Sequence, residues 1–106
     1  MKPLEKKALL FKALGDPTRI RIVELLCDCD TLCVNAIAER TGARQSMISQ
    51  HLKILKTAGL VSSSREGFHI HYRIDRNTLA ELHEMMKVFV EAGSKKCADP
   101  SCSQES

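Results

Sequence analysis

Apolar residues recur along this chain with a helical period over most of its length and with a two-residue period in one short stretch. From Pro3 to Leu14 the residues Leu4, Ala8, Phe11 and Leu14 fall on one helical stripe, with Lys6, Lys7 and Lys12 off it. Gly15 ends that helix. Asp16-Pro17-Thr18 then starts another, with Asp16 as N-cap and Pro17 at the first helical position, where its missing N–H costs nothing. Ile20, Ile22, Val23, Leu25 and Leu26 give this second helix a broad apolar face, as expected of a core element. Cys27-Asp28-Cys29-Asp30 breaks the period and predicts a loop.

A third helix is predicted from about Cys33 to Arg40 and closes at Thr41-Gly42. A fourth runs from Arg44 or Gln45 to Ala58 and buries Ile48, Leu52 and Leu55 before Gly59 stops it. Leu60–Arg65 and Phe68–Ile74 read as two strands joined at Glu66-Gly67. The last helix, Asn77 to Ala92, is expected to bury Leu79, Leu82, Met86, Phe89 and Val90. The expectation is a mainly α chain with a small β-hairpin in the order α-α-α-α-β-β-α. Residues 1–93 make one domain, and residues 94–106 a flexible tail that carries Cys97 and Cys102.

Composition narrows the class. With 106 residues, three Phe, one Tyr and no Trp, the core must be built from aliphatic side chains. So short a chain buries a limited share of its surface, which favours oligomerisation. The net charge is only +3, but Arg40, Arg44, Lys53, Lys56, Arg65 and Arg73 face the single acid Glu66 between residues 40 and 73. That surplus of five leaves −2 for the remainder, so a basic middle suited to phosphates lies between roughly balanced flanks. No apolar run approaches the ~18 residues of a membrane span, and Met1 to Lys7 lacks the apolar stretch of a secretory signal. The expected compartment is the cytoplasm, with no membrane partner. There the five cysteines would be reduced thiols.

Helix, helix, short helix, tight turn, longer helix and hairpin is the order of a winged helix-turn-helix. Its centre runs from Val34 to Leu52, where small Ala38 lets two helices cross closely and Gly42 makes the turn. The outer face of the fourth helix is left with Arg44, Gln45, Ser46, Ser49, Gln50 and Lys53, a set of hydrogen-bonding groups without an acid. Such a helix enters the major groove with its N-terminal residues against base edges. Gln45 and Gln50 suit adenine, Arg44 guanine or phosphate, and the serines either bases or phosphates. Lys53, Arg65 and Arg73 suit the backbone. His51 sits at the edge of the buried face and is open to either a packing role or a phosphate contact.

Three separated motifs resemble the ArsR family of metal- and thiol-responsive repressors. Leu14-Gly15-Asp16-Pro17-Thr18-Arg19 is similar to its D-P-T-R opening, and Ser49 to Val61 to its S-x-H-L-x-x-L-x-x-A-G-L-V recognition helix and exit. Arg65-Glu66-Gly67 followed by Tyr72-Arg73-Ile74 is similar to its wing. The resemblance spans roughly residues 8 to 92. It implies a homodimer formed through the first and last helices, bound to a palindromic double-stranded operator and released by an inducer.

Cys27, Cys29 and Cys33 lie within seven residues, and Cys97 and Cys102 form a C-x4-C pair. Close thiols suit trivalent arsenic or antimony, and next to them cadmium or lead. Arsenic- and cadmium-sensing relatives open the third helix with C-x-C; Cys33 falls on the first of those cysteines and Asn35 on the second. A second family site on the last helix would fall on Arg76, Thr78, Phe89 and Ala92, none of which ligates metal, so a zinc or nickel sensor of that kind is not expected. The expected inducer site is therefore Cys27, Cys29 and Cys33, with Cys97 or Cys102 contributing from either subunit. A redox or persulfide response through the same thiols, and a repressor with no cysteine ligand, are the alternatives.

Other classes fit less well. Cys27-Asp28-Cys29 is C-x-C without the βαβ setting of a thiol oxidoreductase, and no phosphate loop or nucleophile motif is present, so no enzyme is expected. The cysteine spacing is irregular for a structural zinc module. A winged helix used only for protein contacts would not need the acid-free face of the fourth helix.

Overall fold

A computed structural model describes residues 2–92 and 100–101. The elements are α1 (Pro3–Ala13), α2 (Pro17–Asp28), β1 (Leu32–Cys33), α3 (Val34–Thr41), α4 (Gln45–Thr57), β2 (Val61–Glu66), β3 (His69–Ile74) and α5 (Arg76–Ala92). The expected order holds, with one addition. The two residues of β1 pair antiparallel with β3, making a three-stranded sheet ordered β1-β3-β2. The cysteine-rich stretch is loop only in part, because α2 runs through Cys27 to Asp28.

The start of α2 follows from its sequence. Asp16 Oδ2 accepts from the Thr18 and Arg19 amides at 2.9 and 3.1 Å, and Pro17 occupies the first turn, where no N–H is needed. At the other critical junction, Gly42 adopts φ 75° and its N–H closes α3 onto the Ala38 carbonyl at 2.9 Å. That left-handed conformation is open to glycine at little cost, and it turns the chain from α3 directly into α4. Asp75 supplies a cap that the sequence reading passed over: its Oδ1 accepts from the Thr78 amide at the start of α5.

The core joins Leu10 and Ala13 of α1, Ile22, Leu25 and Leu26 of α2, Ile37 and Ala38 of α3, and Ile48, Leu52 and Leu55 of α4. Leu32, Val61 and Ile74 close it from the sheet side, and Leu60 from the segment that leads into the sheet. Two expectations are corrected. In α1 the buried residues are Leu10 and Ala13, whereas Leu4, Ala8 and Phe11 of the anticipated stripe are exposed. In α5 none of the expected residues is fully buried. Leu79 and Leu82 pack partly against the core, while Met86, Phe89 and Val90 face outward, Phe89 at 66% and Val90 at 76% exposure. Ile20 of α2 is likewise on the surface. Helices α1 and α5 each carry apolar residues that no other described residue covers. The two faces adjoin, for Phe11 and Phe89 place their ring centroids 6.3 Å apart and Lys6 pairs with Glu81 at 3.0 Å.

Candidate nucleic-acid interface

Helix α4 is locked onto the core by Ile48, Leu52 and Leu55, all fully buried, which fixes what its opposite side presents. Ser46, Gln50 and Lys53 are spaced four and three apart and so form one ridge pointing away from that buried stripe. Arg44 stands at the N-cap and Gln45 in the first turn, both exposed. Ser49 lies on the flank toward the hairpin, where a groove of about 280 Å3 is lined by Cys33, Asn35, Ser49, Phe68, Ile70 and Tyr72 among others. All six expected groups of α4 are therefore solvent-facing, and no acid interrupts them along the helix.

The hairpin stands beside this surface as a wing. β2 and β3 pair from Val61↔Ile74 to Glu66↔His69, and Gly67 turns the chain at φ 64°. Arg65 and Arg73 are both exposed but belong to opposite faces: Arg65 pairs with Ile70, and Arg73 with Ser62. Lys56 fastens the wing to the helix by donating from Nζ to Ser63 Oγ at 2.7 Å.

His51 takes the inward of its two possible places. Its ring is mostly covered, with Nδ1 3.2 Å from Arg19 Nη1 and Nε2 3.9 Å from Asp16 Oδ2. It therefore orients α4 against α2 rather than joining the outer ridge. Asp16 is itself held below the ordinary carboxylate value, chiefly by the Arg19 amide it caps.

Met47 and Phe68 are exposed apolar groups that the sequence reading assigned no role. Met47 is half exposed on α4, one residue before buried Ile48 and off its stripe. That offset is the signal that places it outside.

The cysteines are placed less compactly than their spacing suggests. Cys27 is exposed on the last turn of α2, while Cys29 and Cys33 are half-buried, and all three are free thiols. Arg40 Nη1 donates to Cys29 Sγ at 2.9 Å. Cys33 lies directly opposite His71 across the β1–β3 pair and also lines the groove between α4 and the wing. Among the described residues no three His, Cys, Asp or Glu side chains stand close enough together to hold a metal ion. Cys97 and Cys102 lie outside the described residues, as does most of the anticipated tail. No helix among the described residues is long and apolar enough to cross a membrane.

Comparison with known proteins agrees with this geometry. The family profile described as bacterial regulatory protein, arsR family, matches residues 16–63, from the α2 cap to the third residue of β2. An uncharacterized HTH-type transcriptional regulator of Methanocaldococcus jannaschii is 43% identical over 76 residues, covering 71% of this chain and 85% of the relative. The arsenic resistance transcriptional regulator ArsR2 of Pseudomonas putida is 33% identical over 90 residues, covering 85% of this chain and 78% of the relative. Among solved structures, the homodimeric winged helix-turn-helix DNA-binding domain of a possible ArsR-family regulator from Mycobacterium bovis superposes with a TM-score of 0.70. It is 32% identical and covers 91% of this chain and 88% of its own.

Proposed function

The chain belongs to the arsR family of bacterial regulatory proteins, and from that premise we propose that it is a homodimeric transcriptional repressor, released from its operator when a thiophilic metalloid or metal binds its cysteine thiolates. One observation carries the DNA-binding part: Ser46, Gln50 and Lys53 form an acid-free ridge on a helix whose other side is immobilised by Ile48, Leu52 and Leu55. A rigid helix bearing amide, hydroxyl and ammonium groups on one line reads base edges in the major groove and holds the adjoining phosphates.

The dimer is supported by the uncovered apolar faces of α1 and α5. Leu4, Phe11, Met86, Phe89 and Val90 expose more apolar surface on two adjacent helices than one small domain leaves open without a partner. Pairing these faces across a two-fold axis would set the two α4 helices for successive major grooves of a palindrome.

For the inducer, trivalent arsenic or antimony is favoured and cadmium or lead comes next. Cys27, Cys29 and Cys33 supply soft donors within one short segment. Their separate positions require either a rearrangement of the α2–β1 loop or donors from Cys97 and Cys102 of the same or the other subunit. The Arg40–Cys29 contact favours a second reading, since it holds the Cys29 sulfur in a fixed place between α2 and α3, close in sequence to two other thiols. There, two of these thiols close to a disulfide while an oxidant takes up both electrons and both protons.

The test is release. Reduced protein is bound anaerobically to a labelled duplex from upstream of its own gene, and arsenite, antimonite, cadmium, lead, zinc and an oxidant are titrated separately. Release by arsenite or antimonite at stoichiometric concentration supports the favoured inducer. Release by oxidant alone supports the second reading, and a complex that none of them disturbs rules out both.

A further inference from the structure

We propose that Phe68 is a DNA-contacting residue, an apolar wedge at the tip of the β2–β3 wing that enters the operator's minor groove beside the α4 contact and unstacks a base step there. The proposal rests on the reading of the chain as a DNA-binding repressor and adds a contact of a different chemistry.

Phe68 is 98% exposed, more than any other large apolar side chain among the described residues. It ends an apolar stripe that begins in the core. Ile74 is buried, Tyr72 half-buried and Ile70 46% exposed, and strand alternation puts these three on one face of β3. Phe68 lines the same groove as Ile70 and Tyr72, and the groove's far wall includes Ser49 of the recognition helix. A duplex seated on α4 therefore has Phe68 across the groove from Ser49. No residue of α1 or α5 lines this groove, so it is separate from the faces assigned to the dimer.

The charges at the tip are divided between the two strand faces. Arg65 pairs with Ile70 and so shares the groove-side face, where it can hold a phosphate. The one carboxylate of the wing, Glu66, is on the opposite face, paired in register with His69 and 3.4 Å from His71 Nδ1. A cation and a bare aromatic ring are thus both offered at the tip, while Glu66, on the strand face of His69, which also lines the groove, is held 3.4 Å from His71. Proteins that insert Phe or other apolar side chains between base steps of the minor groove use this combination.

The experiment uses the full chain and a duplex that the protein itself enriches from a random-sequence pool. Phe68→Ala, Phe68→Leu and Arg65→Ala are compared with the unaltered chain by anisotropy across a salt series. 2-Aminopurine is stepped through the positions flanking each half-site. Phe68→Ala is expected to bind about 10-fold more weakly, about 1.4 kcal/mol, with an unchanged salt slope because no phosphate contact is lost. Phe68→Leu keeps most of the affinity. Arg65→Ala instead lowers the slope by about 1.8, one phosphate contact from each of the two subunits. One flanking 2-aminopurine position should brighten with the unaltered chain and stay quenched with Phe68→Ala. Equal affinity for Phe68→Ala, with no position brightened, overturns the wedge while the repressor reading stands. A change in sedimentation caused by Phe68→Ala overturns it too, by assigning the ring to a contact between copies. Failure of the unaltered chain to enrich any duplex overturns the repressor reading itself.

Discussion

Arg19 and His51, thirty-two positions apart in the chain, meet with Nη1 and Nδ1 at 3.2 Å. Arginine has no acceptor, so in this contact His51 Nδ1 is the acceptor, and Nε2 lies 3.9 Å from Asp16 Oδ2. The same guanidinium donates through Nε to the Ala13 carbonyl at 2.6 Å. One side chain thus ties the end of α1 and the start of α2 to the middle of the recognition helix. The Asp-Pro-Thr-Arg opening and the Ser-Gln-His-Leu segment, distant in the chain, meet here in one contact.

His51→Ala should therefore destabilise the chain by about 1 kcal/mol without removing any group from the outer ridge. A double-mutant cycle with Arg19→Ala in urea should give a coupling of about 1 kcal/mol between the two residues. Additive effects would mean that the contact contributes nothing to stability.

Replacing Asp16 removes the side-chain acceptor for two amides of α2. Asp16→Ala should lower Tm by roughly 5 °C, whereas Asp16→Asn, which still accepts, should lower it much less. Because the folded-state value of this carboxyl lies below its ordinary 3.8, its contribution is complete above about pH 4 and is lost as pH falls through the lowered value. The Tm difference between Asp16→Ala and the unaltered chain should accordingly shrink on acidification below pH 4 and stay constant from pH 5 to 8. Circular dichroism melts across that range check both statements.

Phe89→Glu places a charge on the uncovered face of α5, beside Phe11 of α1. It should convert a dimer to a monomer of unchanged helix content in sedimentation, and lower operator affinity by about 100-fold, roughly 2.8 kcal/mol, as the second half-site is lost. A dimer that persists would place the interface elsewhere.

Serine at Cys27, Cys29 and Cys33 together should abolish release by arsenite and leave operator affinity within about 2-fold, since none of the three lies on the outer ridge of α4. Release of about 100-fold requires about 2.8 kcal/mol of coupling between inducer and operator sites. If Cys33→Ser alone weakens DNA binding before any inducer is added, its place in the groove between α4 and the wing matters more than its sulfur chemistry.

Much of this was legible in the sequence because the signals were local. The Asp16-Pro17 helix start, the Gly42 turn and the Ile48-Leu52-Leu55 stripe each follow from a few neighbouring residues. Leu4, Phe11, Phe89 and Val90 were legible as apolar but not as exposed, since periodicity shows that a helix has an apolar face without showing what covers it. Leu32–Cys33 is too short for any period to register, and only its pairing with His71 and Tyr72 makes it a strand. The Arg40–Cys29 contact joins two elements eleven residues apart and leaves no mark on spacing. Phe68 stands at the turn, where the strand alternation that sorts Ile70, Tyr72 and Ile74 does not reach, so its exposure left no mark on the pattern.

The most direct test is operator affinity of the unaltered chain against the triple variant Ser46→Ala, Gln50→Ala, Lys53→Ala, measured by anisotropy with reduced protein across a salt series. The ridge of α4 predicts tight, strongly salt-dependent binding by the unaltered chain. It also predicts a loss of at least about 100-fold in the variant, with helix content and sedimentation unchanged. Equal affinity in the two proteins, or no binding by either at low salt, would contradict the assignment of α4 as the element that reads DNA.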